Sequence, residues 1–154
     1  MGPPTKTLLF KFYKPKGLVT SHSDEKGRKT VFESLPAKFP RLMSVGRLDL
    51  NSEGLLLLTN NGELARKLEL PSSNILRVYK LCIKGNVKSR MIREINSGIS
   101  IKEINYKKIT VKIDKFQAPY TWLIVKLKEG KNREIRNICR FFKWNVIKLI
   151  RIQY

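Results

Sequence analysis

One aspartate, Asp49, follows Arg47 in the stretch GRLDLNSEGLLLLTNNG and stands just before the apolar run Leu55-Leu56-Leu57-Leu58. A lone carboxylate can act as a nucleophile or a base where a nearby cation keeps it ionised in a partly buried pocket. Arg47, or an arginine from the C-terminal segment, could supply that cation. The nearest acid is Glu53, and neither D-x-D nor E-x-x-H occurs around it, so no paired-carboxylate site is built locally. The competing reading is a structural Arg–Asp pair that braces a loop. On local evidence alone that structural reading is the stronger of the two.

Other chemistry is thinly supplied. The only histidine, His22, lies in the polar stretch Ser21-His22-Ser23-Asp24 and reads as a surface residue. Cys82 and Cys139 are the only cysteines, with no C-x-x-C and no Cys/His cluster, so no metal site is expected. They read as reduced, buried thiols.

The charge balance points to the partner. Lys and Arg number 32 against 12 Asp and Glu, a formal net charge of +20, which repels itself unless a polyanion is bound. Nucleic acid is the first candidate and an anionic membrane the second. No apolar run approaches the roughly 18 to 20 residues that span a bilayer. The start of the chain, MGPPTKTLLFKFYKPKG, lacks the long apolar core of a signal peptide. The expected location is the cytoplasm, and the expected state a monomer.

The basic residues are best organised near the C-terminus. In KNREIRNICRFFK, Ile135, Ile138, Cys139 and Phe142 recur at helical spacing and form one apolar stripe. Arg133, Arg136 and Arg140 fall on the other side, where a row of guanidiniums can follow a phosphate backbone. Lys131 precedes the first turn, where backbone N–H groups also favour anions. Among the aromatic residues Tyr13, Tyr79, Tyr106, Tyr120 and Trp144, Tyr79 is the best candidate to stack on an unpaired base, because Arg77 and Lys80 flank it. Most of the others read as core.

The elements that must position these residues follow from periodicity. Strands are expected over residues 7–13, 55–59 (buried), 78–84, 109–116, 121–128 and 146–150. Lys14-Pro15-Lys16-Gly17 reads as a turn that stops the first strand, and residues 21–29 as an exposed loop. Helices are expected over 31–35, 63–68, 88–97 and 133–142, the second capped by Asn60 or Asn61. The two strands around Gln117-Ala118-Pro119-Tyr120 read as antiparallel neighbours. Helices interrupt strands without regular βαβ alternation, so the expected class is α+β, with a mixed, largely antiparallel sheet flanked by helices. The length, 154 residues, suits one domain or two small lobes around a shared sheet.

The motif series resembles a known family. GRLDLNSEGLLLLTNNGELARKL is similar to the signature of the ribosomal RNA pseudouridine synthases of the RsuA/RluB type. YKPKG (13–17), GRKTVFESLP (27–36), Arg77-Val78-Tyr79, LKEGKNREIRNICRFF (127–142) and VIKLIRIQY (146–154) resemble the family's other motifs in order and spacing. The similarity covers nearly the whole chain and looks closest to the large-subunit branch.

That resemblance implies a pseudouridine synthase fold over residues 1–154 and a cofactor-free isomerisation of uridine in ribosomal RNA. It makes Asp49 the catalytic carboxylate and Tyr79 the residue that stacks on the flipped base. It brings a basic residue of the later motif to the aspartate, with Lys131, Arg133 and Arg136 all eligible. Leu149 would pack beneath the base. Arg47, Arg77, Arg140 and Lys143 complete the expected RNA contacts. The implied substrate is a hairpin of large-subunit rRNA. Family members often carry a small RNA-binding domain in front, and none is expected here, since only residues 1–6 precede the first strand. The alternative is an inactive, ribosome-associated RNA-binding protein with the same fold.

Overall fold

The computed structural model describes residues 6–129 and 133–154. The chain divides into two compact units, Met1–Ser73 and Asn74–Tyr154. The strand pairings within each unit are antiparallel, and helices accompany them, which fits the α+β class expected.

In the first unit, β1 (Leu9–Lys14) and β2 (Met43–Ser44) both pair antiparallel with β3 (Glu53–Thr59). Leu56 and Leu58 are buried while Leu55 and Leu57 are half-buried, so the tetra-leucine run is not uniformly internal. Strand geometry explains this, since successive side chains point to opposite faces. The helix α1 (Gly62–Glu69) follows, and the Asn61 side chain accepts from the backbone N–H groups of Glu63 and Leu64. That is the cap expected, and it satisfies two donors that a helix start leaves open. The short helix expected over 31–35 is a single 3-10 turn, Phe32–Ser34. A run of five residues ending before Pro36 is too short for a stable α-helix.

In the second unit, β4 (Arg77–Lys84) is followed by α2 (Ser89–Asn96), and β5 (Ser100–Ile101) and β6 (Ile104–Asn105) form a small separate hairpin. Next come β7 (Thr110–Gln117), β8 (Tyr120–Leu127), α3 (Glu134–Phe141) and β9 (Asn145–Gln153). β4 lies between β8 and β9, and β7 pairs with β8. The hairpin of β7 and β8 is the one expected around Ala118-Pro119.

Alternation gives this sheet two unlike faces. Leu81 and Ile83 of β4, Leu123, Val125 and Leu127 of β8, and Leu149 of β9 enter one core. Ile95 of α2 and Ile135, Ile138 and Cys139 of α3 cover the same side. The apolar stripe expected on α3 is therefore the one the fold buries. Tyr106 and Trp144 are buried, so neither is a stacking platform at the surface. Both cysteines are free and buried. Burial pushes the Cys139 thiol up to about 12, and it raises that of Cys82 as well, so neither is a ready nucleophile.

Candidate active site

Asp49 lies in the loop between β2 and β3, half-buried, between buried Leu48 and half-buried Leu50. Arg47 is exposed. The loop is pinned on both sides of the aspartate. Upstream, the Thr20 hydroxyl donates to the Leu48 carbonyl at 2.9 Å and accepts from the Leu48 N–H at 3.4 Å. Downstream, the Lys14 ammonium donates to the carbonyls of Ser52 at 2.8 Å and Leu50 at 3.3 Å, and to that of Pro15 at 3.0 Å. The Gly17 N–H donates to the Leu50 carbonyl at 2.8 Å, and Ser52 N–H closes a turn on the Asp49 carbonyl at 3.0 Å. Gly17 holds φ at +97°, a conformation that L side chains rarely adopt. At the loop's start Gly46, at φ +68°, donates its N–H to the Glu69 carboxylate at 2.8 Å.

Lys14 does not belong to the turn that its neighbours Pro15 and Gly17 suggest. It is the last residue of β1 and is fully buried. A buried ammonium is costly unless its donors are satisfied, and here three carbonyls receive them. Two of those carbonyls lie 36 and 38 residues further along the chain, so no local pattern announces them. Lys14 and Thr20 are the supporting residues that sequence reasoning missed. The one available signal is the YKPKG motif itself, which by local pattern reads only as a stop.

The second unit holds the other expected site residues. Tyr79 is half-buried on β4 and packs against the core. Its cross-strand neighbours are Val125 and Arg151. Leu149 lies on the same face, opposite Leu81, and is buried. The guanidiniums of Arg77 and Arg151 stand 5.0 and 4.7 Å from the centre of the Tyr154 ring. Such cation–π contacts orient both arginines next to the tyrosine strand. Arg151 is also buried, a cation beside Tyr79 that sequence spacing did not single out.

On α3 the arginines are not equivalent. Arg140 is exposed, Arg136 is half-buried, and Arg133 is exposed at the N-cap with φ +50°. Lys143 is exposed just beyond the helix. Lys131 lies outside the described residues. Glu134 is buried in the first turn, where a carboxylate is favoured by the helix dipole. The structure thus groups Tyr79, Leu149, Arg77 and Arg151 on one sheet face of the second unit, and it clamps Asp49 in the first.

Comparison with known proteins is specific. Residues 9–141 match the model of the RNA pseudouridylate synthase family. The chain belongs to that family.

An uncharacterized RNA pseudouridine synthase of Rickettsia bellii is 50% identical over 149 residues, covering 97% of this chain and 64% of that protein. Ribosomal large subunit pseudouridine synthase B of Buchnera aphidicola is 38% identical over 152 residues, covering 97% of this chain and 60% of that protein. The chain therefore spans under two thirds of the length of these relatives. Among solved structures, a pseudouridylate synthase crystal structure superposes with a TM-score of 0.84 at 22% identity, covering 95% of this chain and 62% of the other. Human RNA pseudouridylate synthase domain containing 1 superposes with a TM-score of 0.67 at 13% identity, over 99% of this chain and 75% of the other. At these identities the likeness shows the fold.

Proposed function

We propose that this chain is the catalytic part of an rRNA pseudouridine synthase that isomerises a uridine of large-subunit ribosomal RNA. The observation that carries the proposal is the family match over residues 9–141, which encloses both Asp49 and Tyr79. Identities of 37–38% to proteins named ribosomal large subunit pseudouridine synthase B support the choice of substrate.

In this reading the target base leaves the RNA stack, at a cost of about a few kcal/mol, and a hairpin loop lowers that cost. The Asp49 carboxylate attacks or deprotonates the ribose, and the N-glycosidic bond breaks with uracil leaving as an anion. The base turns and a carbon–carbon bond forms to the same ribose. The proton on that base carbon is then lost and the former glycosidic nitrogen is protonated. The product is an isomer of the substrate, so no oxidant, metal or cofactor enters the balance. Tyr79 stacks on the turned base and takes part in the last proton loss. Leu149 packs beneath it.

A cation from Lys131, Arg133 or Arg136 faces Asp49 and keeps it ionised. Arg47, Arg77, Arg140 and Lys143 bind phosphate. The loop clamp supports this assignment, because a reacting carboxylate must be held in place, and Thr20, Gly17 and Lys14 fix the backbone on either side of it. The protein acts as a monomer in the cytoplasm, with residues 1–154 working as one catalytic domain.

The test is tritium release from large-subunit rRNA labelled at the fifth carbon of uridine. The wild type is expected to release label and Asp49→Ala to fall to background. If the wild type releases no more than Asp49→Ala, the enzyme reading fails and an RNA-binding protein remains.

A further inference from the structure

The sheet of the second unit has a face opposite its main apolar cluster, on which Val78 and Cys82 are buried outside that cluster. Antiparallel register places directly opposed residues on the same side. Across the strands one row reads Lys112, Ile124, Lys80, Ile150, and the next reads Lys115, Trp122, Cys82, Lys148. Lys126 stands one row above and Lys84 one row below. All six lysines are exposed, while Trp122, Ile124 and Ile150 are half-buried between them. β4, β8 and β9 contain no acid, and the one acid of β7, Asp114, falls at the ladder's irregularity.

The face is held in shape by packing. The Lys115 ammonium lies 5.5 Å from the centre of the Trp122 ring. Cys82 lies between Trp122 and Lys148 in that row and is buried, while Lys115 and Lys148 at the row's ends are exposed. With strands about 4.8 Å apart, Lys112 and Lys80 stand about 10 Å apart across the sheet, and Lys115 and Lys148 about 14 Å. An array of one sign on that scale fits a phosphate backbone. It is a poor membrane anchor, because the apolar side chains lie between the lysines instead of projecting beyond them.

We infer that this lysine face is a second RNA-binding surface, which grips the phosphates of a helical stem on the side of the sheet opposite Tyr79 and Leu149. α3 packs on the Tyr79 side through Ile135, Ile138 and Cys139, so the helix that carries the arginines and the lysine face lie on opposite sides of the sheet. The choice of RNA as partner rests on the proposed function, but the test reads binding and needs no turnover.

The experiment is titration of a stem-loop RNA transcribed from large-subunit rRNA at several salt concentrations, with wild type and a Lys80→Gln/Lys112→Gln/Lys126→Gln/Lys148→Gln variant. Lys115 is left in place because it covers Trp122. The variant is expected to bind at least about tenfold more weakly at moderate salt, and the slope of log affinity against log salt should fall by roughly 0.7 to 0.9 for each phosphate that is no longer neutralised. In parallel, lysine acylation of the wild type with and without RNA is read by mass spectrometry, which does not depend on the variant folding. Protection of Lys80, Lys112, Lys126 and Lys148 supports the inference. Unchanged affinity, slope and acylation overturn it. Protection by anionic phospholipid vesicles but not by RNA also overturns it, in favour of a membrane surface. Protection by RNA in a protein that makes no pseudouridine would sink the enzymatic reading and leave this one standing.

Discussion

Asp49 sits in a loop and Tyr79 on a strand, and the fold restrains them with different forces. The Asp49 loop is held by hydrogen bonds from Thr20, Gly17 and a buried lysine to its own backbone. Tyr79 is held by a ladder on both sides and by an apolar core beneath. A loop has no ladder partners, so its buried carbonyls must find donors elsewhere. A strand receives its partners from its neighbours, and alternation alone decides which face a side chain joins. The first arrangement is directional and specific to one backbone path. The second is tolerant of sequence so long as the pattern and volume are kept.

Four substitutions would break or sharpen that contrast. The largest loss of stability is expected from Leu123→Ala, since Leu123 is fully buried at the centre of the second unit's core. Removing it should cost about 3 to 4 kcal/mol in denaturant unfolding. Lys14→Met keeps the stem and removes the ammonium, leaving the Leu50 and Ser52 carbonyls without that donor. Because burying the charge is itself costly, the net loss should be smaller, about 2 kcal/mol. Its effect on tritium release should exceed what unfolding accounts for, whereas Leu123→Ala should retain activity in proportion to the folded fraction. Equal activity losses per unit of stability in the two variants would show that the clamp does not serve the aspartate.

Asn61→Ala removes the cap of α1 and should cost about 1 kcal/mol, with activity unchanged at low temperature. The smallest effect is expected in the exposed loop, where the Arg28 guanidinium donates to Asp24 at 2.9 and 3.0 Å and holds its carboxyl at about 2, below the usual 3.8. A carboxyl lowered in the folded state contributes stability above the ordinary value and loses it as pH falls toward about 2. Arg28→Gln should return the Asp24 titration, followed by NMR, toward the ordinary carboxylate range. Stability near neutral pH should scarcely move, because exposed pairs are worth little.

The six longer strands, the three helices and the hairpin at Ala118-Pro119 were legible because their periods of two and 3.6 are local properties, whereas the two-residue strands β2, β5 and β6 are too short to show a period and were not expected. The Asn61 cap and the apolar stripe of α3 were legible for the same reason. Boundaries shifted by one to three residues, as when β9 ran from Asn145 to Gln153 where 146–150 was expected. A strand's ends depend on its neighbour's length, which no local window contains. The candidate site was only half legible. Asp49 and Tyr79 stood out by motif order, but Lys14, Thr20 and Arg151 did not, since a lysine before proline and a lone threonine look like surface residues.

The sequence by itself determined the types of the longer elements, the net charge of +20 and the family to which the chain belongs. Each of these is a sum or a pattern along the chain. The tertiary structure alone decided that Lys14 and Arg151 are buried, that only Leu56 and Leu58 of the leucine run are internal, and that six lysines share one face of a sheet. The physical reason is distance along the chain. Whether a charge can leave water depends on donors and acceptors brought from tens of residues away, and only the folded backbone sets that register.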